Sequence, residues 1–216
     1  DLNIIYINTA KNASTTLLSW CGGNEHIPIQ YYSYLGVHSL YGVQNEEKVI
    51  NLIPKLFIIR NPIDRVVSSF FEVMKLVRAD KFIGTLTPEE EDTFLDWANK
   101  KYNLIDSFNM FLKSISDNNF YDRHTFPQVV SLNDSGFPID EVSALLFENL
   151  GEELDAFCKK YNILNPRKFL ITNKTMSPLK KELEMYVNSN IDIQNKIKEI
   201  YKEDWDLYSK IKNSRS

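Results

Sequence analysis

The sequence predicts an α/β fold built on a central, mostly parallel β-sheet flanked by helices. Three observations predict it. Short β-branched apolar runs at 4–8 and 55–60 are hydrophobic on both faces, as strands covered on both sides of a parallel sheet are. Each is followed within a few residues by a helix-start signal. Further strand and helix patterns then alternate along the chain, which is the order of βαβ units. Expected strands are 4–8, 28–32, 55–60 and 143–147. Expected helices are 14–20, 64–77, 89–102, 107–116, 150–161, 178–187 and 193–211. Asp64, just after Pro62, reads as an N-cap, and Pro88 opens a Glu-rich helix start matched to the helix dipole.

The chain has 216 residues, enough for one α/β domain with a full core, and residues 1–216 are read as a single domain. A hydrophobic content of 43% excludes a disordered chain, and a formal charge of −4 gives no global basic field for nucleic acid. No apolar run is long enough to cross a membrane. Two distant cysteines, Cys21 and Cys158, make no disulfide framework and read as reduced structural thiols. There are no repeats and no low-complexity linker.

Ligands of parallel sheets bind beyond the carboxyl ends of the strands, so the residues just after strands matter most. After the first strand come Lys11, Asn12, Ala13, Ser14, Thr15 and Thr16, ahead of a helix start. Unsatisfied N–H groups at a helix N-terminus, the helix dipole, hydroxyl donors and one Lys together form an anion cradle. After the third expected strand come Arg60, Pro62, Asp64 and, within the next helix, Ser68. Arg60 and Ser68 suit a second anion, through a charge-assisted contact and a hydroxyl. Two anion sites on one rim imply a ligand with two separated phosphate-like groups.

These stretches resemble the donor-binding motifs of sulfotransferases that use 3′-phosphoadenosine 5′-phosphosulfate. Residues 11–16 are similar to the 5′-phosphosulfate loop. Arg60 and Ser68, eight apart around a Pro, are similar to the 3′-phosphate motif. His124, Pro127 and Gln128 match a His-x-x-Pro-Gln element of the carbohydrate branch. Phe147 to Leu150 resembles its late strand-to-helix junction, 173–175 a late loop, and 201–208 its closing helix. The resemblance runs in order along nearly the whole chain. It implies a P-loop-NTPase-like three-layer fold, sulfuryl transfer to a carbohydrate hydroxyl, and no metal requirement. A Gly-x-x-x-x-Gly-Lys-Ser/Thr loop is absent, and Glu148 is the one acidic residue at an expected strand end. A nucleotide kinase of P-loop ancestry is therefore the second reading, and a non-catalytic nucleotide- or glycan-binding module the third.

Within this reading Lys11 and the loop N–H groups stabilise charge on the leaving 5′-phosphate oxygen. His38 is the first choice for general base, His124 its rival or a positioning residue, and Glu46 and Glu47 outside candidates; His26 reads as a loop residue. Arg65, Lys75, Arg78, Lys81, Arg123 and Lys174 form a candidate basic strip for an anionic glycan, or simply a solvated face. Tyr31, Tyr32, Tyr34, Phe70 and Phe71 stack on sugars or fill the core. Oligomeric state is not readable. Lys, Asn and Ile richness with few Cys favours a bacterial-type cytoplasmic enzyme, and a Golgi-lumenal one if the chain is a truncated eukaryotic protein. Lys11→Ala is expected to lower sulfate transfer by about 10²–10³-fold, the usual cost of removing one preorganised charge-stabilising group. An unchanged rate in a sulfate-transfer assay would remove Lys11 from that role.

Overall fold

In a computed structural model of the chain, the described residues are 4–9, 12, 17, 29–33, 36–38, 53–78, 103–116, 124–163 and 177–215. The side chains of 29–33, 36–38 and 75–78 are outside that description. Five strands are described: β1 (Ile4–Ile7), β2 (Ile29–Ser33), β3 (Gly36–His38), β4 (Lys55–Ile59) and β5 (Val142–Leu146). They form one sheet in the order β3-β2-β1-β4-β5. β1 runs parallel to both β2 and β4, β4 runs parallel to β5, and only β3 is antiparallel, against β2. The described helices are α1 (Pro62–Arg78), α2 (Leu104–Ser116), α3 (Gln128–Asp134), α4 (Leu150–Tyr161), α5 (Pro178–Ser189), α6 (Ile191–Ile200) and α7 (Lys202–Asn213). They divide between two compact units. One is Asp1–Asn61, Gln128–Lys174 and Asp206–Ser216; the other is Pro62–Pro127 and Thr175–Trp205.

The sheet unit has three layers, and the side-chain alternation of the strands shows why. Ile4, Tyr6, Leu56, Ile58 and Leu145 point to one face, where they pack with Leu17 and with Leu150, Leu154, Phe157 and Cys158 of α4. Ile7, Phe57, Ile59, Val142, Ala144 and Leu146 point to the other, against Leu132 of α3 and Tyr208 of α7. Successive strand residues face opposite ways, so a strand apolar at every position needs cover on both sides. Every residue of β1 and β4 is buried accordingly. That includes Lys55 at the start of β4, whose ammonium lies 3.5 Å from the Glu141 carboxylate and over the Phe137 ring. Arg215, from the end of the same unit's chain, donates to the Ala144 carbonyl of β5 at 2.6 Å and pairs with the buried carboxylate of Glu153.

The helical unit is held by one aromatic-rich core. Ile63, Val66, Val67, Phe70 and Val73 of α1 meet Phe108, Phe111, Leu112 and Ile115 of α2, Leu183 and Val187 of α5, and Ile197 of α6. Phe70 contacts Phe108 and Phe111 edge-on at 5.4 and 5.5 Å, the geometry the ring quadrupoles favour. Phe70 is thus a core residue and not a sugar platform. The helix starts carry side-chain caps. Asn103 accepts from the Asp106 N–H, Ser177 from Lys180, and Asn190 from Ile193.

Several expectations needed correction. α1 begins at Pro62, so Asn61 occupies the N-cap position and Asp64 sits inside the first turn. Proline is pre-set for the first helical position, where its missing N–H costs nothing. α2 starts at Leu104 rather than 107, because Asn103 and Asp106 bond reciprocally across the start. The single helix expected over 193–211 is two, α6 and α7, with Tyr201 leaving helical geometry at ψ 41° between them. α3 was not foreseen, and neither was the short strand β3. Of the expected helix 14–20 only Leu17 is described, and 89–102 lies outside the described residues, as do Cys21 and His26. No described helix is long and apolar enough to cross a membrane.

Cys158 is the buried free thiol the sequence suggested. Burial, with a smaller contribution from the nearby Asp155 charge, pushes it up from 9.0 to about 11. Because the thiolate is the reactive form, alkylation of Cys158 at pH 8 is expected to be slow in the native protein and fast in denaturant, read by peptide mapping after iodoacetamide treatment. The same shift has a sign for stability: the unfolded thiol ionises first, so its contribution is lost as pH rises from about 9 toward about 11.

Candidate functional site: the carboxyl rim of β1 and β4

β1 and β4 are neighbours, paired Ile5 to Lys55 through Ile7 to Phe57. Both therefore deliver their following residues to the same edge of the sheet. β4 runs two residues beyond Phe57, to Ile59, which pairs with Leu146 of β5. Past Ile59 the chain leaves the sheet at Arg60, where the backbone N–H and C=O need new partners.

Gln128, the first residue of α3, supplies them. Its Nε2 donates to the Arg60 carbonyl at 2.9 Å, and its Oε1 accepts the Arg60 N–H, also at 2.9 Å. The side-chain amide thus pairs with Arg60 as another strand would. The same Oε1 accepts from Asn12 Nδ2 at 2.6 Å. Asn12 Nδ2 also donates to the Ile58 carbonyl at 2.6 Å, and the Tyr6 hydroxyl donates to the Asn12 carbonyl at 3.1 Å. The Asn12 N–H closes a turn on the Thr9 carbonyl at 3.3 Å. Asn12 and Gln128 are both fully buried, so the bonds of the Asn12 side chain form away from water, where leaving any of them unmade is costly. Asn12 Oδ1 has no hydrogen-bond partner among the described residues.

The end of β5 completes the rim. The Arg60 guanidinium lies over the Phe147 ring, 4.5 Å from its centre, an arrangement that holds the cation without neutralising it. Glu148 accepts the Asn61 N–H at 2.8 Å. One oxygen of the acidic residue that a kinase reading would use thus serves as a backbone cap.

Of the residues expected to bind the donor, Asn12 and Arg60 are brought together. Lys11, Ala13, Ser14, Thr15 and Thr16 lie outside the described residues. Ser68 is half-buried in α1 of the helical unit. His38 was expected at or just past the second strand. It instead ends β3, the antiparallel return, with its backbone opposite Tyr31; Tyr31 pairs in turn with Tyr6. Its backbone is two strands from β1, roughly 10 Å at ordinary strand spacing.

The other histidine is described within the helical unit. His124 is buried, and the carbonyls that follow one another from it are each held by a side chain. Ser69 Oγ donates to His124 O at 2.6 Å, Tyr201 Oη to Thr125 O at 2.7 Å, and Arg65 Nη2 to Phe126 O at 2.7 Å. Arg65 and Ser69 are four apart and share a helix face. Arg65, only 1% exposed, is therefore a structural donor and not part of a basic surface strip. The side chains of Lys75 and Arg78, and the residues Lys81, Arg123, Lys174, Glu46 and Glu47, are outside the described set.

Residue-by-residue reading missed the parts played by Gln128, Phe147 and Ser69. A signal existed for Gln128: an amide between Pro127 and the apolar pair Val129 and Val130 has no reason to be there unless its polar atoms are used. Tyr201→Phe deletes a buried donor and leaves the Thr125 carbonyl short of a partner. It is expected to lower unfolding free energy by about 1–3 kcal/mol, measured by urea denaturation; a loss near zero would show that the hydroxyl does not hold the segment.

Searches of curated proteins and of solved structures found no match. The sulfotransferase family matches residues 1–210, nearly the whole chain, in agreement with the α/β sheet. The chain belongs to the sulfotransferase family.

Proposed function

We propose that this chain transfers a sulfuryl group from 3′-phosphoadenosine 5′-phosphosulfate to a hydroxyl of a carbohydrate acceptor. The observation that carries the reading is the shared rim. Asn12, which follows β1, and Arg60, which follows β4, meet at the carboxyl edge of two adjacent parallel strands. Donor fit is supported by the chemistry of that rim. Arg60 keeps a full charge over Phe147, suited to the 3′-phosphate, and the loop that begins around Asn12 carries Lys11 and three hydroxyl residues, suited to the 5′-phosphosulfate.

In this proposal Lys11 and the loop N–H groups stabilise the negative charge on the 5′-phosphate oxygen as its bond to sulfur breaks. His38 takes the proton of the acceptor hydroxyl as the new oxygen–sulfur bond forms. His124, whose backbone is pinned, positions reactants. Electrostatic preorganisation and alignment supply most of the rate, since the reacting groups need little else from the protein.

Calorimetry tests the donor class. Adenosine 3′,5′-bisphosphate is expected to bind more tightly than ADP with Mg²⁺, and the reverse preference would favour a nucleotide kinase. His38→Ala is expected to lower kcat by about 10²–10⁴-fold while leaving bisphosphate binding within about twofold. A larger kcat loss in His124→Ala than in His38→Ala would transfer the base role to His124. Tight bisphosphate binding with no transfer across a broad glycan panel would support a non-catalytic binding module.

A further inference from the structure

We propose that Gln128 is a positioning residue that sets the spacing between Asn12, after β1, and the Arg60 end of β4, and so determines preference for a nucleotide carrying both a 5′- and a 3′-phosphate. The inference rests on the donor reading above and deepens it.

The side chain of Gln128 has no exposed surface, so it acts through what it ties. It ties three groups: the Arg60 N–H, the Arg60 carbonyl and the Asn12 amide. Arg60 lies just beyond the last β4–β5 pair, Ile59 with Leu146, and takes both its backbone bonds to Gln128 from this one side chain. Asn12 is held a second time by the Ile58 carbonyl and a third by Tyr6. Asn12 and the strand end are therefore joined at Ile58 and again, through Gln128, at Arg60. The joint at Ile58 is buried and the one at Arg60 partly so, and each uses directional bonds of 2.9 Å or less.

Such a joint has a specific consequence for ligands. A ligand with two anions gains from both sites at once only where the protein already holds them at the right separation. A ligand with a single anion uses one site and is insensitive to that separation. Loosening the joint penalises the bisphosphate and spares the monophosphate. General destabilisation would weaken both alike.

The experiment is calorimetry of the full chain with adenosine 3′,5′-bisphosphate and with adenosine 5′-monophosphate, for the unaltered protein and Gln128→Ala. The ratio of the two affinities is expected to fall by roughly tenfold or more in the variant, with monophosphate affinity changing less than about threefold. A parallel loss of both affinities, with the ratio unchanged, would overturn the proposal. Should Gln128→Ala not fold, Asn12→Ala cuts the same tie from the loop side, adds no charge and keeps the loop backbone donors; a fall in the ratio is expected there too, and an unchanged ratio overturns the proposal equally. If the unaltered protein itself shows no preference for the bisphosphate, the donor reading fails and this inference fails with it. That result is distinct from an intact preference that survives both substitutions.

Discussion

One buried carboxamide holds the carboxyl rim of the sheet together. At the end of β4 the ladder stops, yet the backbone of Arg60 remains partly buried and its polar groups require partners. Gln128 provides a donor and an acceptor in the spacing of a peptide, then shares its acceptor with Asn12. A longer strand would satisfy Arg60 equally well but would leave no direct tie to the turn after β1. A side-chain amide does both, which is why this position needs Gln rather than an apolar helix starter or a carboxylate without donors.

Around that amide the chemistry of the rim divides cleanly between positioning and charge. Phe147 supports the Arg60 guanidinium through its ring face and Glu148 spends an oxygen on the Asn61 N–H. The same economy appears in the helical unit, where Ser69, Tyr201 and Arg65 hold three successive carbonyls beginning at His124. Arg65 there is a hydrogen-bond donor inside the protein, although its formal charge in the sequence suggests a surface role.

Much of the architecture was legible from local pattern. The strands 4–8, 55–60 and 143–147 appear within a residue or so of their expected limits, and α4 at the expected Leu150–Tyr161. Doubly apolar runs and strong start signals report burial and capping, which are local properties. The misses share a cause. β3 is three residues long and Gly36–His38 has no apolar alternation to announce it; it exists because it pairs with β2. α3 is seven residues long, too short for periodicity to stand out. At the break Tyr201 sends its hydroxyl to Thr125, a contact seventy-six positions away that no local window contains.

By itself the sequence determined the α/β class, the covered parallel strands and the placement of Asn12 and Arg60 just past the ends of β1 and β4, because hydrophobic period and strand-end placement are encoded within a few positions. It also carried the resemblance to the sulfotransferase family, which the match over residues 1–210 bears out. Only the tertiary structure decided that Asn12 and Arg60 share one buried amide, that Arg65 is an internal donor, and that His38 ends an antiparallel edge strand. Each of those depends on which distant groups remain without water after the chain folds, and hydrogen-bond satisfaction in a dry interior is settled by proximity in space rather than by neighbours in sequence.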